Sequence, residues 1–316
     1  MARIDLRLRL LGRVLGAVSV AHQTEEQVVR QQRPVPHNLL LDLLLGGVVR
    51  GVRSRDEVVP GEAGEVPVRL YRPAGTRKRL PLVLLLHGGG WTSGSLNTYD
   101  WLAGSIAKGA DVVVASVDYR LAPRHRWPAA VEDCYAALVG VVARAGEFGA
   151  DPDRVAVVGD SAGGNLAAVV ALLARDRSGP RIAFQGLVYP ATDMTMGSPS
   201  IEENAHAPIL TKADMLAFQR HYLGDQDPRD PAASPLLASD HSGLPAALIQ
   251  VAEHDPLRDD GLRYAAALEA AGVPVRTTVY FGMPHGFLAF PRLSRSAPQA
   301  LGELTAALSA GLAGPS

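Results

Sequence analysis

One cysteine, Cys134, is all the chain contains, so no disulfide can form within it and a scaffold stapled by bridges is excluded. A lone thiol inside an apolar helical pattern reads as a core residue and suits a reducing compartment, so a cytoplasmic location is expected. Charge of one sign is also missing: 31 Lys and Arg face 32 Asp and Glu, a formal net charge of -1, and nothing in that balance suggests nucleic acid or an anionic membrane as a partner. Long apolar runs are lacking as well. The leucine-rich stretch 39–45 is too short to span a bilayer and carries Asp42, and Arg13 interrupts the apolar core that a signal peptide would need in residues 1–20, so no stable membrane insertion is expected. No H-E-x-x-H occurs, and Asp225-Gln226-Asp227 lacks the glycine and closing glutamate of a calcium loop, so neither a metal nor a cofactor is expected. Internal repeats and low-complexity tracts are absent too.

What the 316 residues do contain is an alternation of strand-like and helix-like stretches. Residues 66–72 alternate in polarity, 81–86 are continuously apolar as in a strand buried on both faces, and 111–118, 155–158, 184–189, 246–252 and 275–281 repeat the β pattern. Helical stretches near 99–108, 128–145, 165–174 and 261–271 separate them, so a doubly wound, mostly parallel sheet is expected. Between 192 and 238 the β pattern lapses into a proline-rich insertion with one helical piece at 211–223. An insertion after a strand's C-terminal end overhangs the ligand crevice of such a sheet. In residues 1–20, Ile4, Leu8, Leu11, Leu15 and Val18 recur at helical spacing. The expected organisation is therefore an N-terminal helical cap segment, 1–50, and a catalytic domain, 51–316, with a cap insertion at about 192–238.

The chemistry is carried first by Gly159-Asp160-Ser161-Ala162-Gly163-Gly164-Asn165. A valine-rich strand ends on a serine flanked two residues either side by glycine, and a helix follows, which is the G-x-S-x-G turn of an exposed nucleophile. A merely structural Gly-rich turn or a phosphate loop is the alternative. G-x-G-x-x-G and G-K-[ST] are both absent, however, and Asp160 stands where a pyrophosphate would approach. A serine needs an imidazole to take its proton and a carboxylate to orient that imidazole. Asp255 follows the strand at 246–252 and His285 the strand at 275–281, so both reach the sheet edge that bears Ser161, in the order Ser, Asp, His. His254 is the one rival base, and its adjacency to Asp255 places it badly to bridge the acid to Ser161. His37, His125, His206, His221 and His241 sit in polar or proline-rich surroundings without this context. The glycines of His87-Gly88-Gly89-Gly90 follow another strand end, where bare backbone can aim amides, with that of Ala162, at an oxyanion.

Together HGGGW, GDSAGGN, DPLRD and HGF resemble the hormone-sensitive lipase family of bacterial esterases, family IV, within the α/β-hydrolases, over residues 65–300. YRLAP (119–123) and SPLL (234–237) follow the same pattern, whereas Arg124, His254 and the N-terminal segment depart from it. The resemblance implies an α/β-hydrolase fold and a serine carboxylesterase for short to medium acyl esters, with Ser161, Asp255 and His285 as nucleophile, acid and base. It implies an oxyanion hole at Gly88, Gly89, Gly90 and Ala162, in which Gly88 permits the turn and the other three donate. The expected partner is a small-molecule ester, and association as a homodimer is left open. An aryl amide or lactone hydrolase with the same triad, or a receptor that has lost catalysis, are the alternatives; the presence of His285 weighs against the receptor.

Overall fold

In the computed structural model, which describes residues 3–32, 35–76 and 78–313, the β-patterned stretches become one eight-stranded sheet. Parts of the expected 1–50 cap, namely residues 1–2, 33–34 and the side chains of residues 39–41, lie outside the described residues. The chain begins with α1 (Leu6–Gly16), α2 (Glu25–Gln31) and α3 (Leu39–Leu45). A hairpin of β1 (Val52–Gly61) and β2 (Gly64–Pro73) follows, then β3 (Leu80–Leu86), α4 (Leu96–Ala110), β4 (Val113–Val117), α5 (Ala129–Ala143), β5 (Ala150–Asp160), α6 (Ala162–Asp176) and β6 (Phe184–Val188). The insertion carries α7 (Ser200–Glu203) and α8 (Lys212–Leu223), and β7 (Ala246–His254), α9 (Arg258–Ala270), β8 (Val275–Pro284) and α10 (Ala297–Gly311) complete the chain. The strand order is β1-β2-β4-β3-β5-β6-β7-β8, with β2 antiparallel to both neighbours and every pairing from β4 to β8 parallel.

The continuous apolar run of β3 is explained by layers on both faces of the sheet. Because successive strand residues point to opposite sides, Leu82, Leu84 and Leu86 enter a core with α5, α6 and α9, while Val83 and Leu85 enter a second core with α4 and α10. Two elements lie outside the sequence expectation. β1 alternates poorly, because its outer face is solvent, and α10 has small residues at its buried positions, Ala297 and Ala300 beside Leu304 and Leu308. Cys134 is fully buried on α5.

The N-terminal segment lies against the insertion. Leu8 of α1 is fully buried within the second core, Ser19 donates to Asp214 of α8, and the Gln32 amide donates to the carbonyls of Thr92 at 3.1 Å and Ala122 at 2.6 Å. Among the described residues no helix is long and apolar enough to cross a membrane.

A charged latch ties this segment to the body. His37 Nδ1 meets Asp42 of α3 at 2.9 Å and Nε2 meets buried Asp100 of α4 at 2.7 Å, and Asp100 also accepts from Arg69 and Tyr71 of β2. The bond to Asp42 raises the His37 pKa above its ordinary value; partial burial opposes this and Asp100 adds to it. A group raised on folding contributes its stability in full below the unfolded pKa and loses it as pH rises through the folded one. Hydrogen exchange at residues 35–45 is therefore expected to accelerate as pH rises through the raised His37 pKa in the wild type, and to lose that pH step in His37→Gln. Profiles of one shape in both proteins would overturn the latch.

Candidate active site

Ser161 stands between β5 and α6 with φ +55° and ψ -120°, a conformation an L-residue adopts only when its surroundings force it. The force comes from close backbone approach. A Cβ on Gly159 would stand 2.0 Å from the Gly163 carbonyl oxygen, and one on Gly163 would stand 2.0 Å from that of Leu86, so both positions of G-x-S-x-G require glycine. The Ser161 amide donates to Val188 O at 2.8 Å, which holds the turn to β6, and the hydroxyl is left facing the sheet edge.

Asp255 follows β7 and His285 follows β8, on adjacent parallel strands. Asp255 Oδ2 lies 2.7 Å from His285 Nδ1, and His285 Nε2 lies 2.8 Å from Ser161 Oγ. Asp255 Oδ1 accepts from the Leu257 amide at 2.8 Å, and the carboxylate is fully buried. With a carboxylate on one side of the ring, Nδ1 carries the hydrogen and Nε2 is free to accept from the hydroxyl. The ring of Tyr189 packs 4.7 Å from that of His285 and limits its rotation. His254 is not a link in the line from Asp255 to Ser161, and Glu253 lies 3.8 Å from its Nε2.

The glycine loop after β3 faces the same point. His87 is buried and stacked on Tyr119 at 4.1 Å, and burial pushes its pKa down to about 4, so it is a neutral structural ring. The Gly88 amide donates to Tyr99 Oη at 2.7 Å and to Asp160 Oδ1 at 3.1 Å. The Gly88 N–H is therefore spent on the loop itself, with Asp160 directly behind it, in keeping with a residue that permits the turn and does not donate to an oxyanion. A Cβ on Gly88 would stand 2.9 Å from the Asp160 carboxylate, so glycine is required there as the turn-permitting residue. The amides of Gly89, Gly90 and Ala162, by contrast, donate to no acceptor among the described residues.

Sequence reasoning missed Asp160 as a linchpin. Its carboxylate is buried, receives Tyr99 at 2.7 Å and Tyr189 at 3.4 Å, and joins the glycine loop to the serine turn; desolvation raises its pKa, with the Tyr99 bond opposing. The available signal was an ionisable residue inside the motif beside Ser161, read only as an argument against phosphate. Also missed were the walls of the cavity of about 230 Å³ over Ser161, where Met194, Met196 and Met215 meet Ile209, Phe218 and Phe290. His221 and His241 are buried, which their polar sequence neighbours do not announce, and neither lines this cavity. Among the described residues no cluster of three or more His, Cys, Asp or Glu is placed to hold a metal ion.

A family model described as the alpha/beta hydrolase fold matches residues 83–289, which span the glycine loop, Ser161, Asp255 and His285. Carboxylic ester hydrolase LipN of Mycobacterium tuberculosis is 50% identical over 264 residues, 81% of this chain and 70% of that protein. The chain belongs to the hormone-sensitive-lipase-like carboxylic ester hydrolases of the α/β-hydrolase fold. Esterase LipI of Mycobacterium tuberculosis extends the likeness to 92% of this α/β-hydrolase and 91% of its own length at 42% identity. The solved esterase of the archaeon Pyrobaculum calidifontis superposes with a TM-score of 0.88 at 38% identity, covering 98% of each chain.

Proposed function

We propose that this ester hydrolase is a serine carboxylesterase acting on short to medium acyl esters through an acyl-enzyme, with Ser161 as nucleophile, His285 as base and Asp255 as orienting acid. The observation that carries the reading is the unbroken line from Asp255 Oδ2 to His285 at 2.7 Å and from His285 to Ser161 Oγ at 2.8 Å. Ser161 Oγ attacks the ester carbonyl while its proton moves to His285 Nε2. The tetrahedral oxygen is received by the amides of Gly89, Gly90 and Ala162, each worth roughly 3 kcal/mol in the transition state. Collapse breaks the bond to the alcohol, which leaves with the proton from Nε2. Water then repeats the sequence on the acyl-serine, its proton passing through the same nitrogen and returning to Ser161 as the acid departs.

The cavity supports the size preference: about 230 Å³ lined by thioethers and rings suits an acyl chain of about four to eight carbons. The N-terminal segment and the 192–238 insertion act together as its cap in this reading. The deciding experiment is a panel of p-nitrophenyl esters from acetate to laurate beside an aryl amide and a lactone. Butyrate and hexanoate are expected to be the best substrates, and faster turnover of the amide or lactone would replace the ester assignment.

The support beneath the oxyanion donors gives a further expected result. Tyr99→Phe removes the hydroxyl that accepts from Gly88 and donates to Asp160, leaving a buried carboxylate one donor short. The variant should lose about 1 kcal/mol of stability in denaturant melts. It should also lose kcat on p-nitrophenyl butyrate several-fold with little change in KM, and unchanged values of both would remove Asp160 from the account.

A further inference from the structure

Ile209, in the insertion between α7 and α8, has φ +75°, which for a β-branched side chain is a strained backbone that its neighbours must hold in place. Those neighbours can be named. From the N-terminal side α1 approaches so closely that a Cβ on Gly12 would stand 2.6 Å from Pro208 Cβ and 3.0 Å from Ile209 N. From the catalytic side, a Cβ on Gly286, the residue after His285, would stand 3.5 Å from Ile209 Cγ2. Ile209 is thus wedged between the first helix and the loop that carries the base.

Two cavities meet at this wedge. Ile209 and Phe218 line the cavity over Ser161, and the same two residues line a second, partly open cavity of about 810 Å³ bordered by α1, α2 and the insertion. Phe218 is itself placed by the glycine loop, since a Cβ on Gly90 would stand 2.3 Å from its ring. The charged groups around the second cavity are engaged at home: Lys212 pairs with Glu202 and Asp214 receives Ser19. Beside a polar edge that includes His22, Gln23 and His206, the lining holds an apolar strip of Leu15, Val18, Val20 and Leu216, which is chemistry for an alkyl chain.

We propose that Ile209, with Phe218, is the partition that limits how far a substrate reaches from Ser161, and that the second cavity holds the tail of a long linear ester once that partition is removed. The proposal rests on the serine esterase reading, and the helix that holds Ile209 in its strained state makes substrate length a property shared by the N-terminal segment and the insertion.

Ile209→Gly tests it, because glycine removes the side chain and tolerates the positive φ, so the wall opens without new strain. Purified variants are compared with the parent on p-nitrophenyl butyrate and laurate, with thermal melts to confirm folding. The laurate-to-butyrate ratio of kcat/KM is expected to rise about tenfold or more in Ile209→Gly. Phe218→Ala removes the other half of the wall and should move the ratio the same way, which keeps the test open if the first variant does not fold. Gly16→Trp supplies the converse: Gly16 lines the second cavity and a Cβ there meets nothing within 4 Å, so a bulky side chain can be introduced at the cavity's edge without a clash at Cβ. Added to Ile209→Gly, it should return the ratio to the parent value. A folded wall variant with the parent's ratio, or a raised ratio that Gly16→Trp leaves untouched, would overturn the partition. A parent enzyme inactive on butyrate would instead strike the esterase reading itself.

Discussion

Ser161→Ala is expected to fold and to hydrolyse p-nitrophenyl butyrate on the order of 10⁶-fold more slowly than the wild type. The size of the loss follows from there being no substitute for the attacking atom. Ser161 Oγ is the group that His285 Nε2 faces at 2.8 Å, and the hydroxyls of Tyr99 and Tyr189 are turned to Asp160 with their pKa values pushed well above the ordinary phenol range by burial. Stability should barely change, because alanine inherits the same φ of +55°. Ser161→Gly separates the two effects. It should be equally inactive yet melt higher, since glycine releases strain worth roughly 1 to 3 kcal/mol. Wild-type turnover in a folded Ser161→Ala enzyme would end the assignment, and a lower melting point in Ser161→Gly would end the claim of strain.

Asp255→Asn should keep the shape of the site and lose about 10⁴-fold in kcat. The Asp255 carboxylate divides its work: Oδ1 accepts from the Leu257 amide at 2.8 Å and Oδ2 receives His285 Nδ1 at 2.7 Å. An asparagine in this place must turn its oxygen to the Leu257 amide, and its NH₂ then points at Nδ1. The ring responds by placing its hydrogen on Nε2, where it faces Ser161 as a donor and cannot take the hydroxyl proton. Nitrogen NMR of the His285 ring should show the exchanged tautomer alongside the loss of kcat, with KM little altered. A variant within about tenfold of the wild type would show that the acid only packs and does not orient.

Features that one strand or turn dictates alone were readable from residues. The runs in β3 through β8 announced themselves by period and apolarity, and the serine turn was legible because a 2.0 Å approach of backbones leaves glycine as the only choice at 159 and 163. Features that arise where distant segments meet were not. Nothing near Asp160 in the chain reveals that Tyr99 and Gly88 converge on it, and nothing around Ile209 hints at a left-handed backbone, since Gly12 and Gly286 hold it from opposite ends of the chain. The partner of the Gly88 amide was hidden for the same reason: it is a carboxylate 72 positions later. Histidines 221 and 241 looked polar because their sequence neighbours are polar, while helix orientation and the 235–241 loop turn both rings inward.

The seat of the first helix bears on how the enzyme is made. Asp5 N donates to Gly282 O at 3.0 Å, and Leu8 is buried in a core completed by Phe287, Leu288 and α10. A ribosome delivers α1 before β8 and α10, so this helix waits through the synthesis of the sheet with its apolar stripe uncovered. Loop-closure entropy for so distant a contact is recovered only after β8 is paired, which makes docking of α1 a late event in folding. Until α1 docks, Ile209 lacks the helix that packs against it, and release of that helix is expected to loosen the wall over Ser161.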